Sequence, residues 1–287
     1  MAFGWTGDDP GFGTGFVRIA GEQVAKAIAA ADGGGPTARR IHEARRRCKK
    51  LRALLRAVRS DFASYEAENA FIRDAASRLA DARDAHVMQE TLAALLAGLG
   101  FGTTVGPPAA SGPMDQPEVL VRFGDDMRDL LQRIRDWPIG GIHDETVEAG
   151  LVRTYKLGRI ARRGAGRNPS DSSFHEWRKL AKYHWYQLEL LQRLAPRGLA
   201  DEIGAVRDLT EELGTHHDLC VLEANLATVA GADADLPAIR SAIGGRKSDL
   251  EDHIWTLGDR VYDEPPRRFR ARIAGYLRQW PDRTASD

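Results

Sequence analysis

The sequence has few of the features that mark a secreted or membrane-spanning protein. Its 287 residues include two cysteines, Cys48 and Cys220, and neither has another cysteine nearby, which indicates reduced thiols rather than disulfides or a metal clip. The amino terminus lacks the basic start and apolar stretch of a secretory signal. The longest nearly apolar run, residues 92–102, is shorter than the roughly 20 residues that span a bilayer. We therefore expect a soluble, cytoplasmic protein with no membrane partner.

Strand-forming patterns are also scarce. Val and Ile are few, and no segment alternates apolar and polar residues over the length of a half-buried strand. Ala, Leu, Arg, Glu and Asp dominate, and apolar residues recur at helical spacing. The sequence therefore predicts an all-α fold. The predicted helices lie near residues 13–31, 37–60, 66–98, 115–136, 144–164, 171–194, 198–229, 234–258 and 265–280.

The chain carries no excess charge of either sign, because 41 Lys and Arg balance 41 Asp and Glu. Net charge therefore gives no indication of a polyanionic partner, and any such indication has to come from local clustering.

The two halves of the chain resemble each other. Residues 101–117 form a long loop-like passage, and a second break follows at 138–141. Three pairs of segments match in the same order on either side: GFVRIAGEQ from Gly15 with GLVRTYKLG from Gly150, IHEARRRCKK from Ile41 with FHEWRKLAK from Phe174, and LADARDAHVM from Leu79 with LGTHHDLCVL from Leu213. This order indicates an internal duplication. We predict two pseudo-symmetric antiparallel helical bundles, about 13–136 and 144–280, after a flexible segment at 1–12.

A basic stripe runs along the second predicted helix. On a helical wheel the stripe falls within roughly 80° of His42 and leaves the opposite wall apolar. Its basic members are Arg45, Arg46, Lys49, Arg52 and Arg56, and the apolar wall comprises Ala44, Cys48, Leu51, Leu55 and Val58. The second half repeats the start of the pattern with His175, Arg178, Lys179 and Lys182.

An ordinary solvated helix face explains this stripe poorly. Such faces usually pair their bases with acids one turn away. Between residues 39 and 59, however, ten Arg and Lys accompany a single acid, Glu43. Arg binds two phosphate oxygens with its planar fork, Lys adds a compact charge, and His donates hydrogen bonds from one or both ring nitrogens depending on pH. A row of such groups spaced by one helical turn suits a linear polyanion.

At these residues the sequence resembles a known family. HEARRRCKKLRALLR and HEWRKLAKYHWYQLELL, with LADARDAHVM and LGTHHDLCVL downstream, are similar to the conserved histidine α-helical domain, the CHAD family. The similarity extends to DRVYDEPPRRFRARI near the carboxyl terminus. It implies two pseudo-symmetric bundles around a basic groove, binding of inorganic polyphosphate there, and in some members association with polyphosphate granules.

Carried over residue by residue, the resemblance implies a binding set drawn from both halves. The set comprises His42, Arg45, Arg46, Lys49, Lys50, Arg52, His175, Arg178, Lys179 and Lys182, and the wheel adds Arg56. Arg18 and Arg153 are added because they occupy matching places on the first helix of each half, and Lys156 and Arg159 because they continue the polar face of the second of these helices. The Leu-Gly-x-x-Arg-Asp element of the family adds Arg83 and His217.

That last element departs from the family pattern twice. Ala80 replaces glycine in the first copy, and His217 replaces arginine in the second, which puts a weaker, pH-dependent donor in place of a fixed charge. We expect Asp84 and Asp218 to orient neighbouring Arg or His side chains. The tryptophans at 177, 185, 255 and 280 are expected in the core or in an interface.

Three other functions stay open. A metal-dependent phosphohydrolase would use the His217-Asp218 doublet with ligands drawn from His42, His86, His175, His184 and His216. A nucleic-acid-binding protein would use the same basic faces, although they lack the Asn and Gln that usually read bases. A purely structural scaffold would show no anion preference. We expect a single non-enzymatic domain over 1–287, with no fused catalytic domain, cofactor or metal, that binds polyphosphate.

Overall fold

The computed structural model describes residues 3–79, 94, 97, 98, 117–229 and 234–279. These residues form nine α-helices and no strand, so the all-α prediction is confirmed. The helices are α1 Phe12–Asp32, α2 Thr37–Ala57, α3 Tyr65–Ser77, α4 Pro117–Arg133, α5 Asp144–Arg167, α6 Asp171–Leu191, α7 Pro196–Val229, α8 Leu236–Tyr262 and α9 Pro266–Leu277, and a short 3-10 turn, Ile134–Asp136, follows α4. None of these helices combines the length and apolar character that a membrane span requires.

The helix predicted at 66–98 ends well before the predicted position. It ends at Ser77, and residues 78 and 79 form a turn. In the remainder of that prediction residues 94, 97 and 98 are helical, and the other residues from 80 onward, like the predicted loop at 101–117 up to residue 116, lie outside the described residues.

The apolar wall of α2 packs into the core as predicted. Ala44, Cys48, Leu51, Leu55 and Val58 are each at most 1% exposed. Because these positions repeat every three or four residues, burying them turns the intervening Arg and Lys residues away from the core. The basic face of α2 is therefore a direct consequence of its apolar periodicity.

The helices form two packed groups that meet at α2. In the first group α1 packs against α2 and α4; in the second, α5, α6, α7 and α8 pack in succession and α9 lies against α5. The groups meet where α2 contacts α5 and α6. That meeting places the basic face of α2 beside α6, which carries the second basic pattern. The pseudo-symmetry of the two groups stays a prediction.

The amino-terminal segment, predicted to be flexible, is packed instead from residue 3 onward. Trp5 is fully buried and its backbone N–H donates to the carbonyl of Leu190 at 3.1 Å. Phe3 lies edge-on to Tyr186 with ring centroids 6.4 Å apart. Burying large aromatic side chains offsets the entropy lost on ordering the segment. The segment therefore bridges α1 and the end of α6.

Gly150 sets the closest approach between the two groups. A Cβ atom at this position would lie 2.1 Å from the carbonyl oxygen of Ala57, which belongs to the backbone and cannot rotate away. We expect Gly150→Ala to force α2 and α5 apart and to lower the free energy of unfolding by about 1–3 kcal/mol. Urea denaturation measures this change.

The matched control is Gly204→Ala on α7, where an added Cβ meets no atom within 4 Å. That change should be neutral or stabilising by up to roughly 1 kcal/mol, because alanine favours the helix. Equal stability of the Gly150→Ala protein and the wild type would show that the helices are not in close contact there.

Candidate anion-binding site

A pocket of about 440 Å³ lies where α2 faces α6 and the middle of α7. Among the residues that the structure describes, six Arg and Lys side chains, two His side chains and one acid line it. The lining residues are Arg45, Lys49, Arg52, Ser77, His175, Arg178, Lys179, Lys182, Tyr183, His217 and Asp218. We call this the cationic pocket. It joins the predicted basic faces of both halves in one concave surface.

Helix α6 contributes one whole face to the cationic pocket. His175, Arg178, Lys179 and Lys182 lie at successive turns of the helix, and all four line the pocket. The helix holds them there because its opposite face is buried, including Trp177, which is fully enclosed. All four basic residues that the sequence analysis identified on this helix therefore lie in one pocket.

Two histidines meet within the cationic pocket. Nδ1 of His175 lies 3.2 Å from Nδ1 of His217, and the ring centroids are 4.4 Å apart. Burial, followed by the charge of Arg178, lowers the pKa of both imidazoles, that of His217 to about 4. Both rings are therefore neutral at pH 7 in the unliganded protein, so the charge expected from histidine near its ordinary pKa appears only at lower pH.

Lys182 is held over aromatic rings at the edge of the cationic pocket. Its Nζ lies 4.2 Å from the ring centre of Trp185 and 5.6 Å from that of Tyr186. Burial, followed by repulsion from Arg178, lowers the pKa of its ammonium to about 8. A nearby anion would favour the charged form, because it offsets both causes.

Helix α2 contributes three cations from one side of its basic face. The Nε of Arg52 donates to Oδ1 of Asn69 at 3.0 Å, and Arg45 donates to the carbonyl of Ala76 at 3.5 Å. Lys49 lies between them in the pocket lining. A guanidinium carries five N–H groups, and the hydrogen bond to Asn69 uses one of those of Arg52.

Four other predicted residues of α2 lie outside the pocket lining. His42 is exposed one turn before it, Arg46 forms an ion pair with Glu43 at 2.7 Å, and Arg56 lies 4.3 Å from the ring centre of Tyr183. Lys50 donates to Glu189 of α6 at 2.8 Å and lies 4.5 Å from the ring centre of Phe3. Lys50 therefore links the two groups of helices and does not face the cationic pocket.

Arg18, predicted from its place in the repeat, is a structural residue. Its guanidinium donates to Asp9 at 2.7 Å, to Glu22 at 2.8 Å and to the carbonyl of Gly4 at 2.9 Å. The hydrogen bond to Asp9 is the largest of the causes that raise its pKa. These contacts fasten the amino-terminal segment to α1 and use the donors that a ligand would need.

The corresponding residues of α5 lie on another surface. Arg153 and Lys156 are exposed and line a separate shallow pocket with Arg59 and Arg270. Arg159 donates to the carbonyl of Glu264 and so fastens the turn before α9. Arg83 lies outside the described residues.

The structure adds two lining residues that the sequence did not indicate, Ser77 and Tyr183. Tyr183 follows Lys182 directly and is largely buried. From the sequence it therefore looks like a core residue rather than a pocket residue. Ser77 ends α3 and enters the lining only through the packing of α3 beside α2. Asp218, expected to orient a basic neighbour, lies in the lining among such neighbours.

The histidines named for a phosphohydrolase are only partly brought together, since His175 lies beside His217 and Asp218 in the cationic pocket. His184 is completely buried, with its ring 5.4 Å from that of Tyr155, and burial lowers its pKa to about 3. His216 lies against Phe174 and Glu251. His86 is outside the described residues. His184 and His216 therefore lie apart from the point where His175, His217 and Asp218 meet.

Comparison with known proteins agrees with this fold. The model of the family described as CHAD domain matches residues 18–227. The crystal structure of the CHAD domain from the plant Ricinus communis is similar over 95% of this chain and 94% of that chain, with a TM-score of 0.51 and 18% sequence identity, so the two share a fold. No curated protein matches the chain. Because the family match covers most of its length, the chain belongs to the CHAD domain family.

Proposed function

We propose that the cationic pocket binds inorganic polyphosphate and that the protein does not hydrolyse it. The observation that carries the proposal is the convergence of six Arg and Lys side chains from two helices on one pocket with a single acid. Such a set of like charges is stabilised when an anion binds among them. Polyphosphate is the ligand that resemblance to the CHAD family implies, and membership of that family supports it.

The spacing of the cations favours a chain of phosphates over a single one. On α6 the basic residues span two turns from His175 to Lys182, and consecutive turns are about 5.4 Å apart. Arg45 and Lys49 repeat that spacing on α2. One orthophosphate reaches only part of this set, whereas a linear polymer contacts successive turns of both helices.

The lining favours polyphosphate over RNA or DNA for a different reason. Sequence-independent binding of single strands relies on exposed aromatic platforms for the bases. In the described part of the lining, the Phe, Tyr or Trp residue is Tyr183, which is mostly buried and lies beneath Arg56, and no Asn or Gln is present to read base edges. The pocket therefore has many groups that bind phosphate and few that could bind a base.

Titration of the purified protein tests this proposal. Polyphosphates of increasing length, orthophosphate and single-stranded RNA are titrated at one salt concentration, and release of free phosphate is followed in the same samples. We expect affinity to rise with polymer length until the pocket is filled, weak binding of orthophosphate, and no phosphate release. Preference for RNA, or metal-dependent release of phosphate, would overturn the proposal.

The lowered pKa of Lys182 gives the binding a pH dependence. Free Lys182 loses its proton near pH 8, and bound polyphosphate restores the charged form, so binding takes up a proton above that pH. Affinity should therefore fall by up to about tenfold per pH unit as the pH rises from 8 to 10. The positive charges of Arg178 and Lys50 lower the pKa of Lys182, while the negative charges of Glu211 and Glu189 raise it.

The matched control is Lys182→Arg, since a guanidinium stays charged throughout this range. Its affinity should be nearly independent of pH from 8 to 10, measured by isothermal titration calorimetry with long-chain polyphosphate. An identical decline in both proteins would assign the pH dependence to another group.

The same proposal extends to the cell. Polyphosphate binding by a cytoplasmic protein would recruit it to polyphosphate granules. A fluorescent fusion should colocalise with granules, and an Arg178→Ala/Lys182→Ala fusion at equal abundance should be dispersed. Colocalisation of both would show that recruitment does not use the cationic pocket.

A further inference from the structure

A second cluster of chemically active side chains lies where the start of α6 meets the middle of α7. It joins Asp171, the first residue of α6, to His216 and Cys220, which are one turn apart on α7. One ligand atom from each residue lies within 4.8 Å of the other two. His216 is 1% exposed and Cys220 is 9% exposed, while Asp171 opens to solvent. The cluster is therefore enclosed on the α7 side and accessible from one direction.

The imidazole of His216 is held in an orientation that suits a metal ligand. Its Nε2 lies 3.1 Å from Oε1 of Glu251, and its ring stacks on Phe174 with centroids 4.6 Å apart. Opposite a carboxylate, Nε2 is the protonated nitrogen, so Nδ1 carries the lone pair. A carboxylate behind a histidine is the usual outer partner in metal sites, because it fixes the tautomer and the ring.

The lone pair of Nδ1 is directed toward Cys220. Sγ of Cys220 lies 3.6 Å from this nitrogen. In a tetrahedral site with metal–nitrogen bonds of about 2.05 Å and metal–sulfur bonds of about 2.3 Å, the nitrogen and sulfur are also roughly 3.6 Å apart. The two α7 ligands therefore already have the separation that a tetrahedral metal needs.

We propose that Asp171, His216 and Cys220 bind a zinc-type dication, with Glu251 as the outer carboxylate of His216. Thiolate, imidazole and carboxylate together select zinc over magnesium or calcium, which prefer all-oxygen ligands. A water molecule takes the fourth position. Binding releases the thiol proton of Cys220 to solvent, since the ligand is the thiolate.

Lys247 holds a positive charge at this place in the metal-free protein. Its Nζ lies 3.0 Å from Asp171 and 3.2 Å from Glu223. The dication displaces Lys247 from Asp171, and Lys247 keeps its ion pair with Glu223. The ammonium is thus a competitor of the metal, and removing it should tighten metal binding.

The bound metal would connect the start of α6 to the middle of α7. Asp171 precedes His175 by one turn of α6, and His216 precedes His217 directly on α7. The metal would therefore fix the relative position of the two helices that carry the histidine pair of the cationic pocket. This inference does not depend on polyphosphate being the ligand of that pocket.

Titration with Co²⁺ tests the site in the full-length protein, prepared metal-free and without a histidine tag. Co²⁺ replaces zinc in such sites and gives a sulfur-to-cobalt charge-transfer absorption only when a thiolate is bound. We expect this absorption to saturate at one equivalent and to disappear when Zn²⁺ is added. Cys220→Ser should abolish it, whereas Cys48→Ala, which changes the other buried cysteine, should leave it intact.

Three further variants separate ligation from loss of fold. Asp171→Asn changes an exposed side chain and should weaken Co²⁺ binding at least tenfold with an unchanged helical circular dichroism spectrum. Glu251→Gln should weaken binding by about 10- to 100-fold, as outer-shell changes do. Lys247→Gln should tighten it. Absence of the charge-transfer band in the wild type, or its persistence in Cys220→Ser, would overturn the proposal.

Discussion

Replacing Arg45 and Lys49 together with alanine should weaken binding of long-chain polyphosphate by at least about 100-fold, because each hydrogen bond to a charged group contributes roughly 1.5–3 kcal/mol. Both residues line the cationic pocket on its α2 side. The Arg178→Ala/Lys182→Ala variant removes two charges from the α6 side and should lose a similar amount. Equal losses would show that both halves of the chain hold the polymer. Fluorescence anisotropy with labelled polyphosphate measures both variants.

The matched control removes two arginines from the same helix. Arg39 is exposed near the start of α2, and Arg46 is paired with Glu43 outside the pocket lining. The Arg39→Ala/Arg46→Ala variant has the same net charge as Arg45→Ala/Lys49→Ala, and we expect it to bind within about threefold of wild type, as distant surface charges do. Equal losses in the two variants would indicate a diffuse attraction to the basic face and would contradict a specific pocket.

Raising monovalent salt from 50 to 200 mM should lower the affinity for long-chain polyphosphate on the order of 100-fold, because each neutralised phosphate releases condensed counterions and the slope for single strands is about −0.7 per contact. Six Arg and Lys side chains line the pocket and set the number of contacts. The helical circular dichroism spectrum should stay constant over this range, which shows that the effect belongs to binding.

The same titration on the Arg45→Ala/Lys49→Ala variant gives the internal control. Losing two contacts should make the slope of log affinity against log salt shallower by about 1.4. An affinity that is independent of salt would show that the ligand is held by apolar or neutral polar contacts. That result would contradict the electrostatic basis of the proposed function.

The helical wheel located the basic face of α2 but was too coarse to identify its pocket-facing side. Relative to His42, at about 100° per residue, Arg45, Lys49 and Arg52 lie roughly 20° to 80° to one side, and Arg46 and Lys50 lie roughly 40° to 80° to the other. Helix α6 packs on α2 so that the first set faces the cationic pocket. The pattern of a single helix does not indicate on which side a neighbouring helix packs.

The repeat pairs positions on α1 and α5 whose side chains have different surroundings in the structure. Arg18 and Arg153 occupy matching positions, but Arg18 forms an ion pair with Asp9. Asp9 belongs to the amino-terminal segment, which lies before the matched segments of the repeat. Arg153 lies on a different surface from the cationic pocket. Equal places in a repeat therefore fix the backbone position and leave the partners of the side chain to the surroundings.

The histidine pair was outside the reach of sequence reasoning for a similar reason. His175 and His217 belong to different helices, and their 3.2 Å contact depends on how α6 packs on α7. Their lowered pKa values follow from that burial and from Arg178. The sequence could name both residues as ligand candidates through the family pattern, but it could not predict that they would contact each other.

Histidine resonances observed by NMR during a polyphosphate titration test the location of binding most directly. His175 and His217 line the cationic pocket, whereas His143 and His253 are exposed outside the pocket lining and serve as references in the same spectrum. We predict that the signals of His175 and His217 shift and saturate together while those of His143 and His253 stay in place. Shifts of the reference signals without any change at His175 and His217 would contradict binding in the cationic pocket.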